Sequence, residues 1–294
     1  MQEVVTAIED RLRKHVAVLA SDIGPRTPFQ GDSLDRAEQY ISEVFEDAGL
    51  EVTEQPYQYE GHRVANLIAR PPGAPGSSNY YAVGAHYDTV PSSPGADDNA
   101  SAVAVMLELG RRLAENGSPA PIRLVAFTLE EPPAHETGHQ GSRIFVEECA
   151  RRGDDVAGAI VLEMVGFTSP HQNYPSVLRW AGYPDRGDYI GVVTNWRSRA
   201  LSRAVLKGFR RNKDLPAESL LVPFNGHILP DTRRSDHASF WNARLPALMV
   251  TDTAFFRNPN YHQPSDTADT LDFGFMAQLV LSLEKAIEEL PEIS

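Results

Sequence analysis

The stretch YYAVGAHYDTVPSSPGADDNASAVAVMLELGRRLAEN (Tyr80–Asn116) carries the reading on which the fold turns. Tyr80–His86 is apolar and strand-like. From Asn99 to Asn116 apolar residues recur at helical spacing. Asp97, Asp98 and Asn99 stand where a helix start needs side chains that satisfy free N–H groups. A strand, a polar loop and a helix form half of a βαβ unit, and Ile122–Leu129 supplies the next strand. Downstream the alternation continues. Gly141–Arg152 reads as a helix, Val156–Val165 and Tyr189–Thr194 as strands, and Arg197–Asn212 as a helix. Ser219–Pro223 is strand-like, Asp236–Trp241 a short helix, Ala247–Thr251 a strand, and Leu271–Leu290 a closing amphipathic helix. Upstream, Met1 to about Ala20 and Ser33–Gly49 read as helices. Glu51–Tyr59 and Arg63–Arg70 read as strands joined by a turn at Gly61, and Pro71–Asn79 as a loop. The pattern predicts an α/β fold with a mostly parallel, mixed sheet of about eight strands sandwiched between helices. No Pro-Gly-Ser linker divides the chain, so residues 1–294 read as one domain.

Composition narrows the function. The 294 residues are 41% hydrophobic and 23% charged, within the range of globular chains. Twenty-seven basic against 40 acidic side chains give a formal charge of −13, which disfavours nucleic acid and anionic membranes as partners. No run of 18 apolar residues suggests a transmembrane helix, and no apolar core of signal-peptide type opens the chain. The one cysteine, Cys149, allows neither an internal disulfide nor a Cys-based zinc site. The cytoplasm is the expected location.

In open α/β sheets the chemistry gathers at the carboxyl ends of strands. Here those ends are rich in acids and histidines. His86 ends one strand, with Asp88 two residues on. Asp97 and Asp98 precede a helix, Glu130 and Glu131 follow another strand, Glu163 ends a third, and His262 follows the last. Each has an ordinary reading alone: a helix cap for Asp97 and Asp98, a solvated terminus for Glu130 and Glu131, a hydrogen-bonded or exposed imidazole for the histidines. Converging acids repel one another unless a cation sits among them. His86, Asp97, Glu131, Glu163 and His262 offer two nitrogens and three carboxylates, a set that suits one or two zinc ions.

Taken together, GAHYDTV (Gly84–Val90), PGADDNASAV (Pro94–Val103), Glu130–Glu131 followed by GSRIF (Gly141–Phe145), LEMVG (Leu162–Gly166), SDHASF (Ser235–Phe240) and YHQPSDT (Tyr261–Thr267) resemble the co-catalytic zinc aminopeptidase family. That family includes bacterial leucyl aminopeptidases, glutamate carboxypeptidase and glutaminyl cyclases. The likeness runs from about His15 to the C-terminal helix. It implies a fold of zinc exopeptidase type and hydrolysis of N-terminal residues from peptides or small amino-acyl substrates, with two zinc ions. His86 and Glu163 would bind the first zinc, Glu131 and His262 the second, and Asp97 would bridge them. Asp88 would orient His86, Glu130 would be the general base, and Asp236 would stand in the wall of the site or behind it. A glutaminyl-cyclase-like transferase and a non-catalytic peptide-binding relative are the alternatives.

The sequence departs from the family pattern twice. PPAHETGHQ (Pro132–Gln140) intervenes between Glu131 and the Gly-Ser segment, bringing His135 and His139, which read as pocket or loop residues. Glu163 stands where Asp is commoner and reaches one methylene further. The segments Thr168–Asp188 and Phe224–Arg234 are expected to shape the substrate pocket.

Overall fold

The computed structural model describes residues 2–73 and 78–293. Residues 74–77 of the expected Pro71–Asn79 loop lie outside them. Eight strands form one sheet: β1 (Glu51–Tyr59), β2 (His62–Arg70), β3 (Asn79–His86), β4 (Ile122–Phe127), β5 (Asp155–Glu163), β6 (Ile190–Asn195), β7 (Ala217–Val222) and β8 (Ala247–Thr251). Their order is β1-β2-β4-β3-β5-β8-β6-β7. The four central strands β4, β3, β5 and β8 are parallel, whereas β2 runs antiparallel to β4, and β6 antiparallel to β8. This is the mixed α/β sheet that the alternation predicts.

Among the described residues the α-helices are α1 (Gln2–Val16), α2 (Ser33–Asp47), α3 (Ala102–Asn116), α4 (Gly141–Arg152), α5 (Ser176–Trp180), α6 (Arg199–Phe209), α7 (His237–Asn242) and α8 (Phe273–Glu288). Helices α1, α2, α3, α6 and α8 bury their apolar stripes in one large core, with Leu12, Phe45, Met106, Phe209 and Leu279 fully enclosed. The opposite face is covered by α4 and α7, where Phe127 packs edge to face on both Phe145 and Phe240 in a cluster that includes Trp241. The central strands are therefore apolar on both faces, as a covered parallel sheet requires. At roughly 1.5–3 kcal/mol per enclosed side chain, these two layers are what hold the strand ends in register.

After β3 the chain crosses to β4 on one side, and after β4 it returns past β3 to β5 on the other. The loops that leave β3, β4, β5 and β8 thus open at one edge, around a topological switch point. Helix α3 starts at Ala102, not Asn99, because the backbone of Asp98 (φ −103°, ψ 87°) and Asn99 (φ −133°, ψ 33°) is not helical.

Candidate metal centre

His86 is the last residue of β3, and the chain places its ring at the carboxyl edge of the sheet. Its Nε2 lies 3.4 Å from Asp98 Oδ1 and 3.4 Å from Glu163 Oε2. On the other side, His262 Nε2 lies 3.2 Å from Asp98 Oδ2 and 3.1 Å from Glu131 Oε1. The potential ligand atoms form two groups, His86–Asp98–Glu163 and Asp98–Glu131–His262, each with its donor atoms within 4.8 Å of one another. Asp98 belongs to both and turns one carboxylate oxygen to each.

This corrects the sequence-based assignment of the shared carboxylate, which falls on Asp98 and not on Asp97. The non-helical backbone at 98–99 sends the two successive side chains in opposite directions. Asp97 turns inward: its Oδ1 accepts from Gly166 N at 2.9 Å and its Oδ2 from Asn258 Nδ2 at 2.6 Å, with Asp252 beside it. Burial, then the Asp252 charge, hold the Asp97 carboxyl well above the usual range.

Each member of the site is fixed by neighbours that sequence reading only partly anticipates. Asp88 accepts from the main-chain N–H groups of Glu130 and Glu131, both at 3.0 Å, and lies 3.5 Å from His86 Nδ1. Asp88 thereby sets an imidazole, its main-chain carbonyl accepting from His86 Nδ1 at 3.2 Å with the carboxylate alongside, and its carboxylate sets the turn after β4. Asp266, within the YHQPSDT segment, accepts from the N–H groups of Asp97 (2.9 Å) and Asp98 (3.1 Å). Arg26, wholly enclosed, donates through its guanidinium to the carbonyls of Leu19, Gly24, Tyr87, Pro94 and Gly95. At Gly95 (φ +61°) a Cβ would stand 2.3 Å from Asp98 O and 2.9 Å from the Arg26 guanidinium. Only glycine lets the acid loop close around that arginine. Arg26 carries no motif signal beyond its residue type, and Asp266, though within the YHQPSDT motif, is given no role by it, because the roles of both depend on main-chain groups far away in sequence. Ser235 Oγ donates to Glu163 Oε2 at 2.6 Å. Asp236 is enclosed behind the site, Oδ1 accepting from Gln140 Nε2 at 3.4 Å.

The insertion after Glu131 contributes one histidine to the site and not the other. His135 Nδ1 lies 3.0 Å from both the main-chain carbonyl and the carboxylate Oε1 of Glu130. Its hydrogen bond goes to the carbonyl, with the carboxylate alongside. Contact with Glu130 raises the His135 imidazole to about 9 against the pull of burial. His139 instead packs its ring on Tyr59, 5.3 Å between centroids.

Burial disfavours charge on His86 and His262, yet both are pushed up, His262 to about 10, because the surrounding carboxylates outweigh it. Burial in turn raises Glu131 well above the ordinary carboxylate range and Glu163 to about 7.

The chain's residues 66–283 match the sequence model described as Peptidase family M28. The chain belongs to peptidase family M28. This M28 peptidase is accordingly a hydrolase of peptide bonds. It is 38% identical over 286 residues to the uncharacterized protein YfbL of Escherichia coli strain K12, covering 93% of this chain and 86% of that one. It is 25% identical to leucine aminopeptidase 1 of Fusarium vanettenii over 84% of its own length, but spans only 60% of that relative. Among solved structures, BSAP, a zinc aminopeptidase from Bacillus subtilis, superposes with a TM-score of 0.73 at 16% identity, covering 96% of this M28 peptidase and 94% of that chain. At that identity the likeness is one of fold.

Proposed function

We propose that this chain is a zinc-dependent aminopeptidase that holds two ions, one among His86, Asp98 and Glu163 and one among Asp98, Glu131 and His262, with Glu130 as general base. The observation that carries this reading is Asp98, whose two oxygens are divided between two complete three-residue donor sets. The donor chemistry fits. Nitrogen and carboxylate oxygen are zinc's ligands when cysteine is absent. His86 Nε2 and Asp98 Oδ1 are buried and, among the described residues, have no hydrogen-bond partner, which is the state of lone pairs meant for a metal. The M28 membership and the aminopeptidase relatives support the same class.

The bound ions would supply Lewis acidity for the scissile carbonyl and bring the pKa of water near neutrality. The chain's own residues do the rest. Glu130 is buried beside the ligands but outside both sets, so its carboxylate can take the proton of the attacking water and hand it to the departing amine. The hydrogen bonds of the Glu130 main chain to His135 and to Asp88 hold the turn from which that carboxylate projects, with the His135 ring 3.0 Å from it. Asp88 holds His86 in orientation through Nδ1. The surplus of acids at the same edge attracts a free α-amino group, which favours action at a peptide's N-terminus. Two complete donor sets support a hydrolase over a cyclase of the glutaminyl type, which generally uses one zinc. A reducing compartment such as the cytoplasm agrees with the buried Cys149 thiol.

The test is a panel of aminoacyl 4-nitroanilides, with and without chelator and added zinc. Turnover that chelator removes and zinc restores, with about two zinc ions per chain by elemental analysis, is the expected result. Chelator-insensitive turnover, or no turnover of any reporter by the zinc-loaded protein, overturns the reading.

A further inference from the structure

Four residues stand in one row across the sheet at the edge of the site. Glu163 of β5 pairs with Thr251 of β8, Thr251 with Gly191 of β6, and Gly191 with Glu218 of β7. Directly paired residues project from the same face of a sheet, so Glu163 and Glu218 point to the same side. Three strand spacings of about 4.8 Å put their backbones about 14 Å apart. Between them lies a cavity of about 210 Å³ that touches both. Its floor is open because Gly191 has no side chain; a Cβ there would face Thr253 Cγ2 at 3.6 Å, and Thr253 itself lines the cavity. Tyr174, Tyr183, Tyr189 and Tyr261 supply aromatic walls.

The charges in this cavity are unequal. At its mouth Arg234 is spent: its Nε lies 3.2 Å from Asp231, and its guanidinium sits 5.4 Å from the Phe255 ring centroid. Arg257, behind Tyr189, donates to Gln172 and to the carbonyls of Phe167 and Tyr189. Glu163 belongs to the metal-binding set. Glu218 is half-buried, and among the described residues no cation or hydrogen-bond donor meets its carboxylate. The nearby phenols are committed elsewhere, Tyr183 to the carbonyl of Ser219 at 2.6 Å and Tyr174 to that of Pro184. After burial, the Glu218 charge is the next influence that raises Tyr183.

Resting on the aminopeptidase reading, we infer that this cavity receives the side chain of the substrate's N-terminal residue and that Glu218 at its far end selects arginine and lysine. An extended basic side chain spans roughly 6–7 Å from Cα to its terminal nitrogen. With its carbonyl held beside Glu163, such a residue lays its aliphatic stem between aromatic rings, which also favour the cation through their π faces, and brings its charge to the one uncompensated carboxylate. A leucine side chain fills the near half of the cavity and leaves Glu218 unpaired.

The experiment compares kcat/KM for arginyl, lysyl and leucyl 4-nitroanilides on the zinc-loaded full chain and on Glu218→Gln. The expected wild-type ratio of arginyl or lysyl to leucyl turnover is at least about tenfold, and Glu218→Gln lowers that ratio at least about tenfold, since a single close charge pair contributes on this scale. A wild-type ratio near one or in favour of leucine, or a ratio that Glu218→Gln leaves unchanged, overturns the inference. A variant that merely loosens the fold depresses all three reporters alike and also leaves the ratio unchanged. If leucyl turnover persists without basic preference, only the role of Glu218 is lost. If no reporter is turned over, the aminopeptidase reading is lost and this inference with it.

Discussion

Histidines buried at the metal-site edge and histidines buried under the flanking helices meet opposite fates. His15 on α1 and His237 on α7 are both lowered to about 4, because burial favours the neutral ring. His86 is at least as deeply buried, and burial pulls it the same way, yet it is raised well above its ordinary value; His262 rises to about 10. The difference lies in the partners. His15 Nδ1 has the Tyr40 hydroxyl at 2.7 Å, and His237 Nε2 the Thr232 carbonyl at 2.8 Å. His86 has Asp88, Asp98 and Glu163 around it. Depth of burial therefore does not mark a functional histidine in this molecule. Converging carboxylates set His86 and His262 apart, and in the function proposed above a divalent cation would balance them.

The sharpest way to break this comparison is to remove the shared carboxylate. Asp98→Asn is expected to lose most bound zinc by elemental analysis and to lower kcat/KM roughly thousandfold, the rate equivalent of several kcal/mol of metal-borne stabilisation. Asp97→Asn should retain zinc, because its carboxyl points to Gly166 and Asn258. Equal zinc loss in both variants would erase the distinction between the neighbours. Of similar size is Glu130→Gln, expected to lower kcat about 10²- to 10⁴-fold as a lost general base while zinc content stays near wild type. Substantial remaining activity would remove Glu130 from its role.

The distinction between Asp97 and Asp98 also shows how far the sequence could be read. Strand positions, the mixed sheet and the clustering of acids at strand ends were legible because periodicity and burial are local properties. His86, Glu131, Glu163 and His262 do converge. The choice between two adjacent aspartates was not legible, since it rests on backbone angles at residues 98 and 99 that no residue type announces. Arg26 and Asp266 escaped notice for a related reason: each serves main-chain groups brought near only by the fold. The antiparallel direction of β6 was likewise hidden, although it is what aligns Glu218 with Glu163.

A smaller effect tests whether a histidine outside the donor sets belongs with the site. His135→Ala is expected to lower kcat about tenfold with little change in KM or zinc content, because a misplaced catalytic group is costly even when still present. His135→Asn retains a side-chain donor near Glu130 and should recover part of the loss. An equal fall in both variants, or a fall confined to KM, would make His135 part of the pocket and not a support for the base.

The smallest expected effect concerns the helix-covered pair. His237 is enclosed, with Trp241 edge-on at 4.5 Å, Arg233 as the nearby charge, and Nδ1 without a hydrogen-bond partner among the described residues. Its folded value of about 4 lies below the ordinary 6.5, so the unfolded chain binds a proton that the folded chain refuses. Stability is then full above pH 6.5 and falls as pH drops from there toward 4. At pH 5.5 the loss from this one group is about 1 kcal/mol relative to pH 7.5. His237→Asn removes the titration, so the urea-unfolding free energy of wild type minus that of the variant should fall by that amount from pH 7.5 to pH 5.5. Both proteins are measured with chelator present, so that metal release from the site edge is common to neither. A pH-independent difference would mean that His237 takes up its proton equally in the folded and unfolded chain, and burial would no longer account for its side of the comparison.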